Sequence, residues 1–110
     1  MVAAARPLLF EPLTLRGLTL KNRVVISPMM QHAAPQGIAQ PWLLVHLGKF
    51  ALGGAGLVFT ESTAVSPQGR IGKDDLGLWD DSQIAPLRDV VKFCQAQGAA
   101  MGVQLSLIHI

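Results

Sequence analysis

Three places in the chain set polar side chains against apolar runs, and each offers residue types that recognition chemistry uses. The first is Ser27-Pro28-Met29-Met30, followed by Gln31 and His32. It directly follows Val24-Val25-Ile26. Its proline fixes the backbone as the apolar run ends, and a hydroxyl and several backbone amides become available there. On chemistry alone this segment reads equally as a binding rim and as an ordinary turn. The second place is Glu61-Ser62-Thr63, after Leu57-Val58-Phe59-Thr60. The third is Gln104, an uncharged amide within Ala100-Met101-Gly102-Val103-Gln104-Leu105. A buried amide must find partners for both its oxygen and its nitrogen, either neighbouring backbone or a polar ligand edge.

Other candidates carry less. Gly53-Gly54-Ala55-Gly56 could cradle a phosphate only if it followed a strand and opened a helix. Here the order is reversed, so the cluster reads as a helix stop with close backbone packing. Cys94 falls on an apolar stripe and reads as a buried, inert thiol. His46 falls within an apolar helix and reads as a packed histidine. The histidines form no His-x-x-x-His or Glu-x-x-His pair, and one cysteine permits neither an internal disulfide nor a multi-cysteine zinc site. No metal is expected.

The elements that must position these residues follow from periodicity. Leu13-Thr14-Leu15 and Leu18-Thr19-Leu20 alternate around Arg16-Gly17, a hairpin signal. Val24-Val25-Ile26 is continuously apolar, which predicts a strand buried on both faces. A polar loop over 31–40 leads to Pro41, suited to a first helical turn, and the spacing predicts a helix over 42–52. Strand 57–60 follows, then a long loop. Asp80, Asp81 or Ser82 caps a second helix running to about Gln97 and stopped by Gly98, with Ile84, Leu87, Val90, Val91 and Cys94 on one stripe. A third strand covers 100–105. The order hairpin, strand, helix, strand, helix, strand implies parallel strands. Open doubly wound sheets and closed β/α barrels both begin this way. In either, chemistry sits at the carboxyl ends of strands, where the three polar places lie.

Composition narrows the function classes. The chain has 110 residues, half of them hydrophobic and 15% charged, with a net charge of +2. One modest domain fits that length. Lys and Arg are spread singly, so no basic stripe tracks a nucleic-acid backbone. No apolar run reaches the ~20 residues of a membrane span. Arg6 and Pro7 interrupt the opening apolar stretch, so no signal peptide is expected and the expected location is cytoplasmic.

Taken together, several of these segments make the chain similar to the old yellow enzyme family of FMN-dependent ene-reductases and NADH:flavin oxidoreductases. The resemblance runs through Leu9-Phe10-Glu11-Pro12-Leu13, Leu20-Lys21-Asn22-Arg23, Ser27-Pro28-Met29, Gly54-Ala55-Gly56-Leu57, Val65-Ser66-Pro67-Gln68-Gly69-Arg70 and Gly102-Val103-Gln104-Leu105. Its bacterial, xenobiotic-reductase-like branch is the nearest. The resemblance implies an α/β fold, the N-terminal part of a (β/α)8 TIM barrel, with a hairpin plug and the first three parallel strands over 1–105. It implies FMN across the strand ends, with NAD(P)H as hydride donor. Ser27, Pro28, Met29 and Met30 then contact the flavin and ribityl largely through backbone. Ser62 reaches the pyrimidine side through its backbone, Gln104 through its amide, and His32 faces the substrate. No catalytic residue falls within this chain. The complete parent is expected to reduce activated alkenes, small α,β-unsaturated carbonyls. No nucleic-acid or membrane partner is expected, and homo-oligomerisation is left open. Alternatives are a dienoyl-CoA or aryl-CoA reductase of the same family, a cofactor-free barrel lyase or sugar-phosphate binder, and a chain acting only as an interaction module.

Three departures from the family pattern stand out. The branch usually has Cys where Met30 stands and commonly Tyr where His32 stands. At the end, the family continues Gln-Leu with Ala/Ser-His-Ala-Gly-Arg, whereas this chain reads Leu-Ser-Leu-Ile-His-Ile. Those six residues, 105–110, can be back-translated to a sequence that resembles the end of a transposon-type sequencing adapter. The expectation is therefore a truncated reading frame in which 106–110 are a non-native tail and His109 has no function. Such a piece is expected to be inactive alone.

Overall fold

A computed structural model describes residues 6–109; Ile110, the last of the expected tail, and the first five residues of the opening stretch lie outside the described residues. Strands β1 (Leu13–Leu15) and β2 (Leu18–Leu20) form an antiparallel hairpin, with Thr14 opposite Thr19 and their hydroxyls 2.9 Å apart. The left-handed backbone of the turn falls on Arg16 (φ 54°), not on Gly17. Only Leu20 of the hairpin is buried.

Strand β3 (Val25–Ile26), helix α1 (Pro41–Leu52), strand β4 (Leu57–Ala64), helix α2 (Ile84–Ala96) and strand β5 (Ala100–Ser106) follow in order. The three strands pair in parallel as β3-β4-β5. Pro41 occupies the first turn of α1, where a missing N–H costs no bond. Leu43, Leu47 and Ala51 form its buried stripe. Of the three candidate caps, Asp80 is the one used, and it caps the 3-10 turn Asp81–Gln83 that runs into α2, whose own first residue follows Gln83 without a side-chain cap. Its carboxylate accepts from the Ser82 N–H, and the Gln83 side chain accepts from the Asp80 N–H, a reciprocal capping box. The Ser82 hydroxyl and N–H together hold the Asp80 carboxyl below its ordinary value. Leu87, Val90 and Cys94 of α2 meet the α1 stripe and Val58 of β4 in one core. Ile84, assigned to that stripe from spacing, is instead exposed at the first position of α2.

Two motifs meet beneath the sheet. Asn22 donates its side-chain amide to the Gly54 carbonyl at 2.7 Å and accepts from the Val24 N–H at 3.0 Å. Gly56 N–H donates to the Val24 carbonyl, and a β-carbon at Gly56 would stand 2.5 Å from the Asn22 carbonyl oxygen. The glycine cluster is thus a helix stop and a point of close backbone approach, with Gly54 at φ 101°.

Two burial expectations are overturned. Val25 is 47% exposed although β3 was expected to be covered on both faces, and Gln104 is exposed rather than buried. Both have one cause: α1 and α2 cover one face of the sheet, and among the described residues no helix or strand packs over the opposite face at Val25 and Gln104 or along the outer edges of β3 and β5. The radius of gyration, 15.9 Å, agrees with that openness; a compact chain of this length has roughly 13 Å.

Candidate functional site

The site is organised by a β-bulge. Phe59 pairs with Gly102, but the next aligned pair is Ser62 with Gln104. β4 therefore spends one more residue than β5 over Thr60 and Glu61, which re-aims the residues that follow. Paired residues in a parallel ladder share a face. Without the extra residue Ser62 would face away from Phe59; with it, Phe59, Ser62, Gly102 and Gln104 share one face. The Glu61 carbonyl in the bulge accepts from the hydroxyls of Thr60 at 3.1 Å and Thr63 at 2.8 Å. These bonds satisfy a buried acceptor and fix the irregularity. Sequence reading ended this strand at Thr60 because Thr-Glu-Ser-Thr has no apolar alternation. The bulge and its hydroxyl bonds carry it on to Ala64.

The segment 27–30 leaves β3 beside this point, since Ile26 lies opposite Val58. Its shape is set by Gln31, a residue to which no role was assigned. The Gln31 amide nitrogen donates to the carbonyls of Met29 (3.2 Å) and Met30 (3.1 Å), and its oxygen accepts from the Trp42 indole at 2.9 Å. Its backbone N–H donates to the Glu61 carboxylate at 3.3 Å. Among the described residues, the amides of Met29 and Met30 donate to no protein acceptor. Glu61 is 3% exposed. Its burial pushes the carboxyl above its ordinary value, opposed by the bond from Gln31 and helped by the nearby Asp75.

His32 was expected to face a substrate. The structure holds it in a left-handed conformation (φ 51°) with Nδ1 3.2 Å from Asp75 Oδ1. Asp75 is buried, and its other oxygen accepts from the backbone N–H groups of Ile71 and Gly72. Asp75 was missed because nothing local marks it: its partner lies 43 residues away. Glu61 carried a usable signal, a lone carboxylate in an otherwise buried strand. His46 is buried edge-on against Phe50, and burial, aided by Lys49, lowers its pKa, as a packed histidine requires. Cys94 is fully buried. Among the described residues no group of three His, Cys, Asp or Glu could hold a metal ion.

The strand ends therefore bring together free backbone donors at Met29 and Met30, a serine and an amide side by side in register, and a tethered imidazole. The profile of the NADH:flavin oxidoreductase / NADH oxidase family matches residues 8–109. The chain belongs to that family. It is 46% identical over 100 residues to an NADPH dehydrogenase of Geobacillus thermodenitrificans, covering 89% of this chain and 29% of that protein. An NADH:flavin oxidoreductase of Gibberella zeae is 44% identical over 97 residues, covering 88% of this chain and 24% of that protein. Among solved structures, morphinone reductase superposes with a TM-score of 0.84 at 33% identity, over 94% of this chain and 27% of its own. The old yellow enzyme of Trypanosoma cruzi gives 0.80 at 27% identity, over 90% of this chain and 26% of its own. The chain thus spans less than a third of the relatives it matches, and it corresponds to the N-terminal part of their β/α barrel. The family's cofactor is FMN, with NADH or NADPH as hydride donor. The residues present fit that cofactor. A flavin's pyrimidine edge alternates carbonyl and N–H groups, which an exposed amide such as Gln104 and free backbone N–H groups can meet.

Proposed function

We propose that the complete protein containing this chain is an FMN-dependent oxidoreductase that uses NAD(P)H to reduce activated alkenes such as α,β-unsaturated carbonyls. The observation that carries the reading is the bulge-set register placing Ser62 beside Gln104, next to the Gln31-clamped segment 27–30. In this reading Met29 and Met30 offer backbone N–H groups to the flavin, with Ser27 and Pro28 shaping the approach. Ser62 contributes backbone and Gln104 its amide at the pyrimidine edge, and His32 faces the substrate. Bound FMN supplies hydride transfer between the nicotinamide and the alkene. The protein's part is to bind and orient both partners and to tune the charge around the ring. Within that part, Gln31 holds the carbonyls of Met29 and Met30 back from the cofactor and so turns the amides toward it.

The test is to purify the full-length protein and record its spectrum, then follow NAD(P)H oxidation with and without 2-cyclohexenone. Expected are a flavin absorbance band and alkene-dependent turnover, and a Met30→Cys variant with a shifted flavin midpoint potential, because a thiol donates weakly where a thioether cannot. A colourless protein, or NAD(P)H oxidation indifferent to the alkene, would refute the reading.

A further inference from the structure

We propose that Asp75 is a positioning residue that fixes the tautomer of His32, so that the neutral imidazole presents Nε2 at the strand-end rim as an acceptor for a hydroxyl or N–H of the ligand. This rests on the functional reading only for the identity of the ligand; the tautomer stands on geometry.

The carboxylate of Asp75 is placed before His32 enters the argument. The N–H groups of Ile71 (2.6 Å) and Gly72 (3.1 Å) both donate to Oδ2, which locks the plane of the group. Oδ1 is left for His32 Nδ1 at 3.2 Å. Asp75 is 2% exposed, so this oxygen has little recourse to water. An ionised carboxylate only accepts, so the ring nitrogen that meets it carries the proton. In a neutral imidazole the second nitrogen is then a bare acceptor. The His32 side chain is 58% exposed. Nδ1 is taken by Asp75, and Nε2 has no hydrogen-bond partner among the described residues, so it is the ring nitrogen left for a ligand. The backbone supports the pose, since His32 accepts a left-handed φ that few side chains adopt. Glu61 is the other charged group close by, and its carboxylate is engaged by Gln31. A hydroxyl at this position would donate to a ligand carbonyl, whereas the tethered imidazole asks the ligand for a donor. The structure therefore assigns this site a preference for substrates bearing a hydroxyl or amide N–H at the His32 end.

The test uses the full-length protein with 15N-labelled histidine, observed by NMR at a pH where the imidazole is neutral. His32→Gln assigns the signal. The expected result is a proton on Nδ1, and a proton on Nε2 overturns the proposal without any variant having to fold. Asp75→Asn gives the converse. Its oxygen stays on the two loop amides, its NH2 group meets Nδ1, and the proton is expected to move to Nε2; an unchanged tautomer counts against the proposal. In the enzyme, a hydroxylated enone is expected to show a KM roughly five- to tenfold below that of its methyl ether, the value of one hydrogen bond. That ratio is expected to collapse in Asp75→Asn. A ratio equal in both proteins defeats the assigned preference even where the tautomer is as expected. The NMR arm needs no flavin, whereas failure of the flavin reading shows as a colourless protein, so the two failures are distinct.

Discussion

Gly56→Ala tests the junction on which the sheet is built. A β-carbon there would lie 2.5 Å from the Asn22 carbonyl oxygen, 2.6 Å from Asn22 Oδ1 and 3.2 Å from the Asn22 carbonyl carbon. Two of these atoms are backbone, so relief requires moving the chain by about an ångström where ordinary van der Waals contact begins near 3.4 Å. Overpacking of that sort costs about 1–3 kcal/mol. The same shift strains the Asn22 bonds to Gly54 and Val24, each of which contributes about 1 kcal/mol net. The expected loss is therefore about 3 kcal/mol. Gly17→Ala is the control. Nothing lies within 4 Å of its added carbon and its φ is not left-handed, so it is expected to be neutral or stabilising by up to about 1 kcal/mol. Both substitutions stiffen the unfolded chain equally, so their difference isolates the collision. Urea unfolding of the full-length protein at constant m-value measures it, and adding Asn22→Ala is expected to give less than additive loss with Gly56→Ala. A Gly56→Ala midpoint indistinguishable from that of Gly17→Ala would sink this account of the junction.

Three further outcomes follow from the same contacts. Burial holds the Glu61 carboxyl above its ordinary value of 4.5, so its contribution to stability is present below that value and is lost as pH rises through the higher folded value; Tm of Glu61→Gln minus wild type is expected to grow as pH is raised from about 4.5, and a difference independent of pH would refute this. Burial also raises the Cys94 thiol, so peptide mass spectrometry after a brief native pulse of maleimide should find it unlabelled and after denaturation fully labelled; rapid native labelling would show the α1–α2 core to be open. The 110-residue chain by itself has only three parallel strands among its described residues, and the phosphate site of such barrels is built after the seventh and eighth strands; a broad melt and FMN binding weaker than micromolar are expected, against which a sharp reversible melt or submicromolar binding would stand.

What the sequence made legible was what local periodicity controls. The hairpin alternates, α1 begins at a proline and ends at Gly53-Gly54, and α2 begins in an Asp80–Gln83 box, because each signal acts within one or two turns of chain. Sidedness was less legible. Val25 and Gln104 sit in apolar runs that resemble doubly covered strands, yet coverage is a property of neighbouring elements, and among the described residues helices pack on one face of this sheet only.

The site was legible in its parts and not in its arrangement, and the reason is one inserted residue. Periodicity places Ser62 by counting from Phe59, which puts the two on opposite faces. The bulge reverses that parity, and what fixes it is the pair of hydroxyls from Thr60 and Thr63 on the Glu61 carbonyl, a local hydrogen-bond pattern that hydrophobic periodicity does not register. The same bulge carries the buried Glu61 carboxylate to the N–H of Gln31, whose side chain in turn fixes Met29 and Met30. A single irregularity in β4 thus sets both the face of Ser62 and the pose of the segment leaving β3. Ser62 and the segment 27–30 are expected to fail together: a Thr63→Val substitution, which removes the shorter of the two hydroxyl bonds while keeping volume, should disturb the environment of Met30 across the sheet as well as that of Ser62 beside it. Methyl NMR of the methionines in the full-length protein reads this directly, and a Met30 signal unmoved by Thr63→Val would mean that the two halves of the site are positioned independently.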